Sequence, residues 1–117
     1  MIERKRGHIV GISSLAGVCA FPEAVVYTTS KMGVRGFMEA LAIQLHHEGL
    51  DKYIKTSTVF LYFVDTNPYV RDAILEGSQQ KVLHSAEFAT KGLVNGILRE
   101  DEIIAVPKEI YYGMYLM

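Results

Sequence analysis

Three residues of this chain have side chains suited to moving a proton on or off an oxygen: Ser14, Tyr27 and Lys31. They lie in the stretch Ile9 to Lys31, which reads IVGISSLAGVCAFPEAVVYTTSK. Tyr27 and Lys31 stand four apart at the start of a long helical pattern, and a helix puts such a pair on one face. The apolar run before them ends in Ser13 and Ser14. If that run is a strand lying beside the helix, a hydroxyl at its end reaches both side chains. A free phenol loses its proton near 10, so at neutral pH it needs about 3–4 kcal/mol of help to act as a base. One ammonium about 4 Å away supplies about 4 kcal/mol at an effective dielectric near 20. The serine hydroxyl donates to the same substrate oxygen. This is equipment for moving a proton on or off an alcohol or carbonyl oxygen.

A lone Tyr-x-x-x-Lys is a weak signal, because most such pairs are the exposed start of an amphipathic helix. The combination is far more specific. An apolar run, Ser-Ser and a small-residue loop with Gly17 precede Tyr27, which stands thirteen residues after Ser14; Ser30-Lys31, Gly33 and Gly36 follow. In this combination the chain resembles the C-terminal part of a short-chain dehydrogenase/reductase. The family pattern G-x-I-V-x-I-S-S-x-A-G matches Gly7 to Gly17, and Y-x-x-S-K matches Tyr27 to Lys31.

The resemblance runs from about Gly7 to Pro107. It implies an α/β fold, the C-terminal half of a Rossmann-type doubly wound parallel sheet in the order β-α-β-α-β. It implies NAD or NADP as cofactor, with Ser14 as donor to the substrate oxygen and Tyr27 as proton donor or acceptor. Lys31 is then the ammonium that favours the phenolate and holds the nicotinamide ribose. Ser13 is the other candidate serine, and the thirteen-residue offset favours Ser14. In Leu61-Tyr62-Phe63-Val64-Asp65-Thr66, Val64 and Thr66 match the family positions that hold the nicotinamide amide. Leu61 and Tyr62 replace the usual Pro-Gly, so the resemblance implies a narrowed cleft there. The wording around Thr58 to Thr66 and Val106-Pro107 is most similar to the branch that contains retinol and hydroxysteroid dehydrogenases. That likeness implies a lipophilic alcohol or carbonyl substrate (a retinoid, steroid or fatty alcohol). It also implies a location on the cytoplasmic side of the endoplasmic reticulum or on a lipid droplet.

Composition agrees with a globular chain: 117 residues, 50% hydrophobic, 21% charged, net charge −1. No nucleic-acid surface is expected from that balance. Arg4-Lys5-Arg6 reads as a solvated helix end. The single Cys19 has no internal disulfide partner and reads as a small apolar filler. No two histidines stand at metal spacing, since His46 and His47 are adjacent, and no metal site is expected. No run has the length of a membrane span, so no membrane attachment is expected from these residues.

The supporting elements follow from periodicity. Residues 1–7 read as a helix tail closed by Gly7 as C-cap. His8 to Ser13 reads as a buried parallel strand. Leu15 to Ala24 is a loop, and the helix runs from Val26 or Tyr27 to about His47, with Val34, Met38, Leu41 and Leu45 on one stripe. Gly33 and Gly36 each cost about 1 kcal/mol in a helix interior, which suggests a close approach there. A second apolar face on this helix suits a homodimer through Tyr27–His47; the alternative is a single core-facing stripe. Glu48-Gly49 ends the helix and Ile54 to Phe60 is the next strand. Residues 67–80 read as a polar loop with one helical turn around Val70 to Leu75, a lid over the substrate by resemblance. Ser85 caps a helix with Ala89, Leu93, Gly96 and Ile97 on its apolar face, and Ile103 to Val106 is a last strand before a final helix.

No glycine-rich turn of the kind that binds a pyrophosphate at a helix N-terminus occurs in the 117 residues. The chain therefore reads as one partial Rossmann-type domain over 1–117, truncated at both ends, whose turnover on its own is doubtful. The alternative is a catalytically silent product that at most dimerises.

Overall fold

The β-branched runs pair as parallel strands and leave one helix on each face. The computed structural model describes residues 1–76 and 82–116. Strand β1 (Gly7–Ile12) pairs with β2 (Ile54–Leu61) from Gly7↔Ile54 to Ile12↔Val59. β2 also pairs with a third parallel strand (Ile103–Val106), giving a three-stranded sheet with β2 at its centre. Helix α1 (Val25–His47) connects β1 to β2. Between β2 and the third strand, β3 (Val64–Asp65) and β4 (His84–Ser85) form a separate two-residue parallel pair. Helix α2 (Pro68–Glu76) lies between those two, and α3 (Ala86–Leu98) follows β4. The third strand of the main sheet is β5, and α4 (Glu109–Leu116) ends the chain.

Register partners share a face of a parallel sheet, so close contacts assign the helices to sides. A Cβ at Gly11 would stand 2.5 Å from Met38 Cγ, which puts α1 on the face that carries Gly11 and its partner Thr58. Val59, Ile104 and Val106 point the other way and form the core, with Val10, Leu61, Leu93 and Ile97 packed against them. A Cβ at Gly96 would lie 2.7 Å from Ile104 Cγ1, so α3 covers that second face. Strand order advances in one direction while the helices alternate sides, so the two crossovers have opposite hands. Most crossovers are right-handed; the exception here involves the long connection through β3, α2 and β4.

The expected apolar stripe of α1 is the one that packs. Met38 and Leu45 are buried, and Val34 and Leu41 are half-buried. The helix closes with Gly49 in the left-handed region (φ 68), its N–H on the His46 carbonyl, and Leu50 N–H on the Leu45 carbonyl. That bond pair satisfies carbonyls the helix leaves open. Ser85 caps α3 as expected, its hydroxyl accepting from Phe88 N–H at 3.1 Å.

Four expectations are corrected. Gly7 is no C-cap: Lys5 takes the left-handed conformation (φ 48), with Lys5 N–H on Ile2 and Arg6 N–H on Met1. Gly7 instead opens β1, where a side chain would run into Met1. The 15–24 segment is not all loop, since Leu15–Gly17 is a 3-10 turn capped by the Ser14 hydroxyl. The expected single turn near Val70 is the nine-residue α2, and the rest of that expected loop, 77–80, falls outside the described residues. Among the described residues nothing beyond the helix's own backbone comes within 4 Å of a Cβ at Gly33 or Gly36, so no described element packs on those glycines.

A non-glycine residue held in the left-handed region costs about 1–2 kcal/mol. Gly49→Ala is therefore expected to lower unfolding stability by about 1 kcal/mol. Urea melts check this, and an unchanged midpoint would show that the α1 terminus relaxes freely.

Candidate active site

Packing of α1 across the end of β1 delivers the three proton-handling residues to one place. Ser14 stands two residues past the last residue of β1, and Tyr27 and Lys31 stand in the first two turns of α1. All three line one cavity of about 710 Å³. Leu61, Tyr62, Phe63 and Val64 contribute its second wall, and Phe21, Tyr69, Val70 and Ile74 its rim. Among the cofactor candidates, Val64 lines this cavity, whereas Thr66 is exposed beside it at the entry to α2.

Lys31 Nζ stands 5.6 Å from the centroid of the Tyr27 ring, on the shared face that i,i+4 spacing requires. The ammonium also donates to the Ile12 carbonyl at 3.2 Å. Ladder N–H groups of Gly7 and Ser13 point toward β2, so in a parallel strand the alternate residue Ile12 directs its carbonyl to the other, unpaired edge. Lys31 is thus the partner of a carbonyl that β2 does not reach. Tyr27 is half exposed, with its ring open to an incoming molecule.

Ser13 and Ser14 separate as strand alternation demands. Ser13 is 2% exposed and donates to the Lys31 backbone carbonyl at 2.9 Å. Ser14 spends its oxygen as acceptor, from Ala16 N–H at 3.3 Å, which leaves its proton to donate into the cavity. Gly17 packs on Ser13 Oγ and on the Lys31 carbonyl, the latter at 3.0 Å from where a Cβ would stand. Sequence reasoning did not single out this close approach for Gly17.

The Leu61-Tyr62 replacement has a visible consequence. The Tyr62 ring packs edge-on to Phe63 (centroids 4.9 Å) and His84 (6.0 Å), and His84 stacks on Phe88. Tyr62 lines both the Ser14 cavity and a larger one between α3, β5 and α4. It stands as a wall between the two. Phe21 meets Phe63 edge-on at 6.3 Å across the rim.

Cys19 is no nucleophile candidate. Its thiol donates to the Leu15 carbonyl and burial pushes it above the ordinary thiol range. Among the described residues no cluster of three metal-ligating side chains occurs, and no helix is long and apolar enough to cross a membrane.

One contact that the sequence did not suggest ties the cavity to its rim. Arg71 on α2 forks onto Asp65 (Nε–Oδ1 2.8 Å, Nη2–Oδ2 2.7 Å), closing the segment that holds Thr66. Asn67 Oδ1 accepts from Tyr69 N–H and starts α2. None of the residues of α2 is buried, and the fork ties this helix to Asp65.

The described family of short chain dehydrogenases matches residues 1–72. A bovine protein, short-chain dehydrogenase/reductase family 16C member 6, is 31% identical over 99% of this chain and 36% of its own length. Mouse 17-beta-hydroxysteroid dehydrogenase 13 is 34% identical with the same coverage of both chains. A short chain dehydrogenase/reductase of Burkholderia phymatum, solved with NAD, superposes with a TM-score of 0.75 at 20% identity, over 99% of this chain and 48% of that one. The chain thus spans about a third of the length of these curated relatives.

An exposed ion pair of good fork geometry is worth about 1 kcal/mol or less. Arg71→Ala is expected to speed hydrogen exchange of the α2 amides about fivefold, leaving those of α1 unchanged. Unchanged α2 exchange would show that the fork does not hold the rim.

Proposed function

This chain belongs to the short chain dehydrogenase family, and we propose that it carries the proton-transfer and substrate-binding part of an NAD(P)-dependent oxidoreductase that interconverts a lipophilic alcohol and its carbonyl. The observation that carries the reading is that Ser14, Tyr27, Lys31 and Val64 line one cavity. Leu61, Phe21, Phe63, Val70 and Ile74 complete a mostly apolar lining. Such a lining suits a largely apolar molecule with one oxygen to be fixed.

The residues present fit the nicotinamide end of a dinucleotide. The half-exposed Tyr27 ring, the Lys31 ammonium and the Val64 backbone bound a space open to a flat ring and a ribose. When bound, the dinucleotide supplies the hydride acceptor or donor. In the proposed mechanism the Ser14 hydroxyl donates to the substrate oxygen and fixes its direction. Tyr27 exchanges a proton with that same oxygen. The Lys31 ammonium stands on the same helix face as that phenol, 5.6 Å from the ring centroid.

The hydroxysteroid names of several relatives support a steroid-sized substrate. The test is a family enzyme whose corresponding segment is replaced by residues 1–117, which completes the fold. Tyr27→Phe is expected to lower kcat with a hydroxysteroid about 10²–10⁴-fold, the usual range for a lost acid–base group. Dinucleotide affinity should change far less. Turnover that survives Tyr27→Phe would end the reading.

A second role has its own observation. On α1 the face away from the sheet exposes Val26, Phe37 and Ile43 beside the open Gly33 and Gly36. Small residues flanked by large apolar ones suit the close approach of a second helix, and this is the proposed homodimer surface. Phe37→Glu is expected to shift the sedimenting species from dimer to monomer in analytical ultracentrifugation. A dimer that persists in that variant would place the interface elsewhere.

A further inference from the structure

Ser13 is the serine that the proposed chemistry leaves unused, yet it is the more buried of the pair. Its hydroxyl has lost its water and must find a partner within the protein, since an unsatisfied buried hydroxyl costs about 1–3 kcal/mol. The partner it has is the backbone carbonyl of Lys31, at 2.9 Å. The preceding residue takes hold of the same lysine from its other end, for the Ile12 carbonyl accepts from Lys31 Nζ at 3.2 Å. Two consecutive strand residues thus grip both the carbonyl and the ammonium of Lys31, and the next residue is Ser14.

The rest of the contact leaves no slack. Gly17 packs on Ser13 Oγ and on the Lys31 carbonyl, so any side chain at 17 would push the Ser14 turn away from α1. Arg35, one helical turn after Lys31, reaches the Gly17 carbonyl at 3.5 Å and is itself held by Glu39 at 2.8 Å. β1, the 3-10 turn and the first turns of α1 therefore meet at a single hydroxyl.

We propose that Ser13 is a positioning residue for the reaction: its hydrogen bond to the Lys31 carbonyl sets the separation between the Ser14 hydroxyl and the Tyr27–Lys31 face. It touches neither substrate nor cofactor and acts through Ser14 and Lys31. The effect falls on turnover rather than affinity. The apolar walls that bind the substrate body belong to other elements, whereas the serine–phenol separation governs proton transfer. Displacements near 1 Å at a reacting centre cost as much as about 10²-fold in rate. This inference rests on the oxidoreductase reading.

The experiment uses the same fold-completing enzyme with four substitutions. Ser13→Ala removes the hydroxyl. Ser13→Thr and Ser13→Val add equal bulk and differ only in the hydroxyl, so packing and folding costs cancel between them. Ser14→Ala tests the underlying reading. The expected result is kcat about tenfold lower in Ser13→Ala than in the parent, and about tenfold lower in Ser13→Val than in Ser13→Thr. Substrate KM and NADH affinity should stay within about twofold throughout. Equal kcat for the Thr and Val variants would overturn the proposal, as would a loss confined to KM or NADH affinity. With Ser14→Ala inactive, that outcome removes only the role of Ser13. Full turnover by Ser14→Ala removes the oxidoreductase reading and this inference together.

Discussion

The seating of α1 against β1 is the contact on which the other features of the site depend. Gly11 has no side chain, so Met38 packs directly on the strand. That seating brings the first turns of α1 level with the end of β1. Ser14, Tyr27 and Lys31 meet because two rigid elements cross at a fixed height. Side chains on such elements are held more closely than side chains on loops. The loop between them has little influence over the geometry, since its 3-10 turn is anchored at both ends by Ser14 and Gly17.

The rim is built differently. β3 and β4 exchange few bonds, and α2 buries none of its residues. This part of the structure has little apolar area to stabilise it and relies on an ion pair and an Asx cap. Elements of this kind open at low free energy cost. The cavity thus has one wall on firmly packed elements, which carries Ser14, Tyr27 and Lys31, and one loosely held wall. Tyr62 limits that space on the side toward α3. The aromatic run Tyr62-Phe63 thus exchanges a close backbone approach for a stiff partition.

Much of the site was legible in order along the chain. The i,i+4 rule placed Tyr27 and Lys31 on one helix face, the thirteen-residue offset of the family pattern selected Ser14, and the cavity contains all three. The capping serine at 85 and the last strand were legible for the same reason, because caps and β-branched runs are local signals. Residues 1–7 misled because the left-handed residue is Lys5 and not the glycine two positions on. Lys5 took that conformation while Gly7 was drawn into the ladder by its bond to Tyr53, a partner distant in sequence.

Sequence by itself determined the three strands of the main sheet, the two long helices and the helix face that bears the phenol and the ammonium, because these depend on neighbours a few residues away. Tertiary structure alone decided the work of Ser13, whose partner is a backbone carbonyl of another element. It also decided the Ile12 contact of Lys31, the Asp65–Arg71 fork and the partition made by Tyr62. The α3 crossover to the opposite face was likewise invisible, since the same strands and helix accommodate either side. Each of these rests on the distance between groups far apart in the chain, and only the packed fold sets that distance.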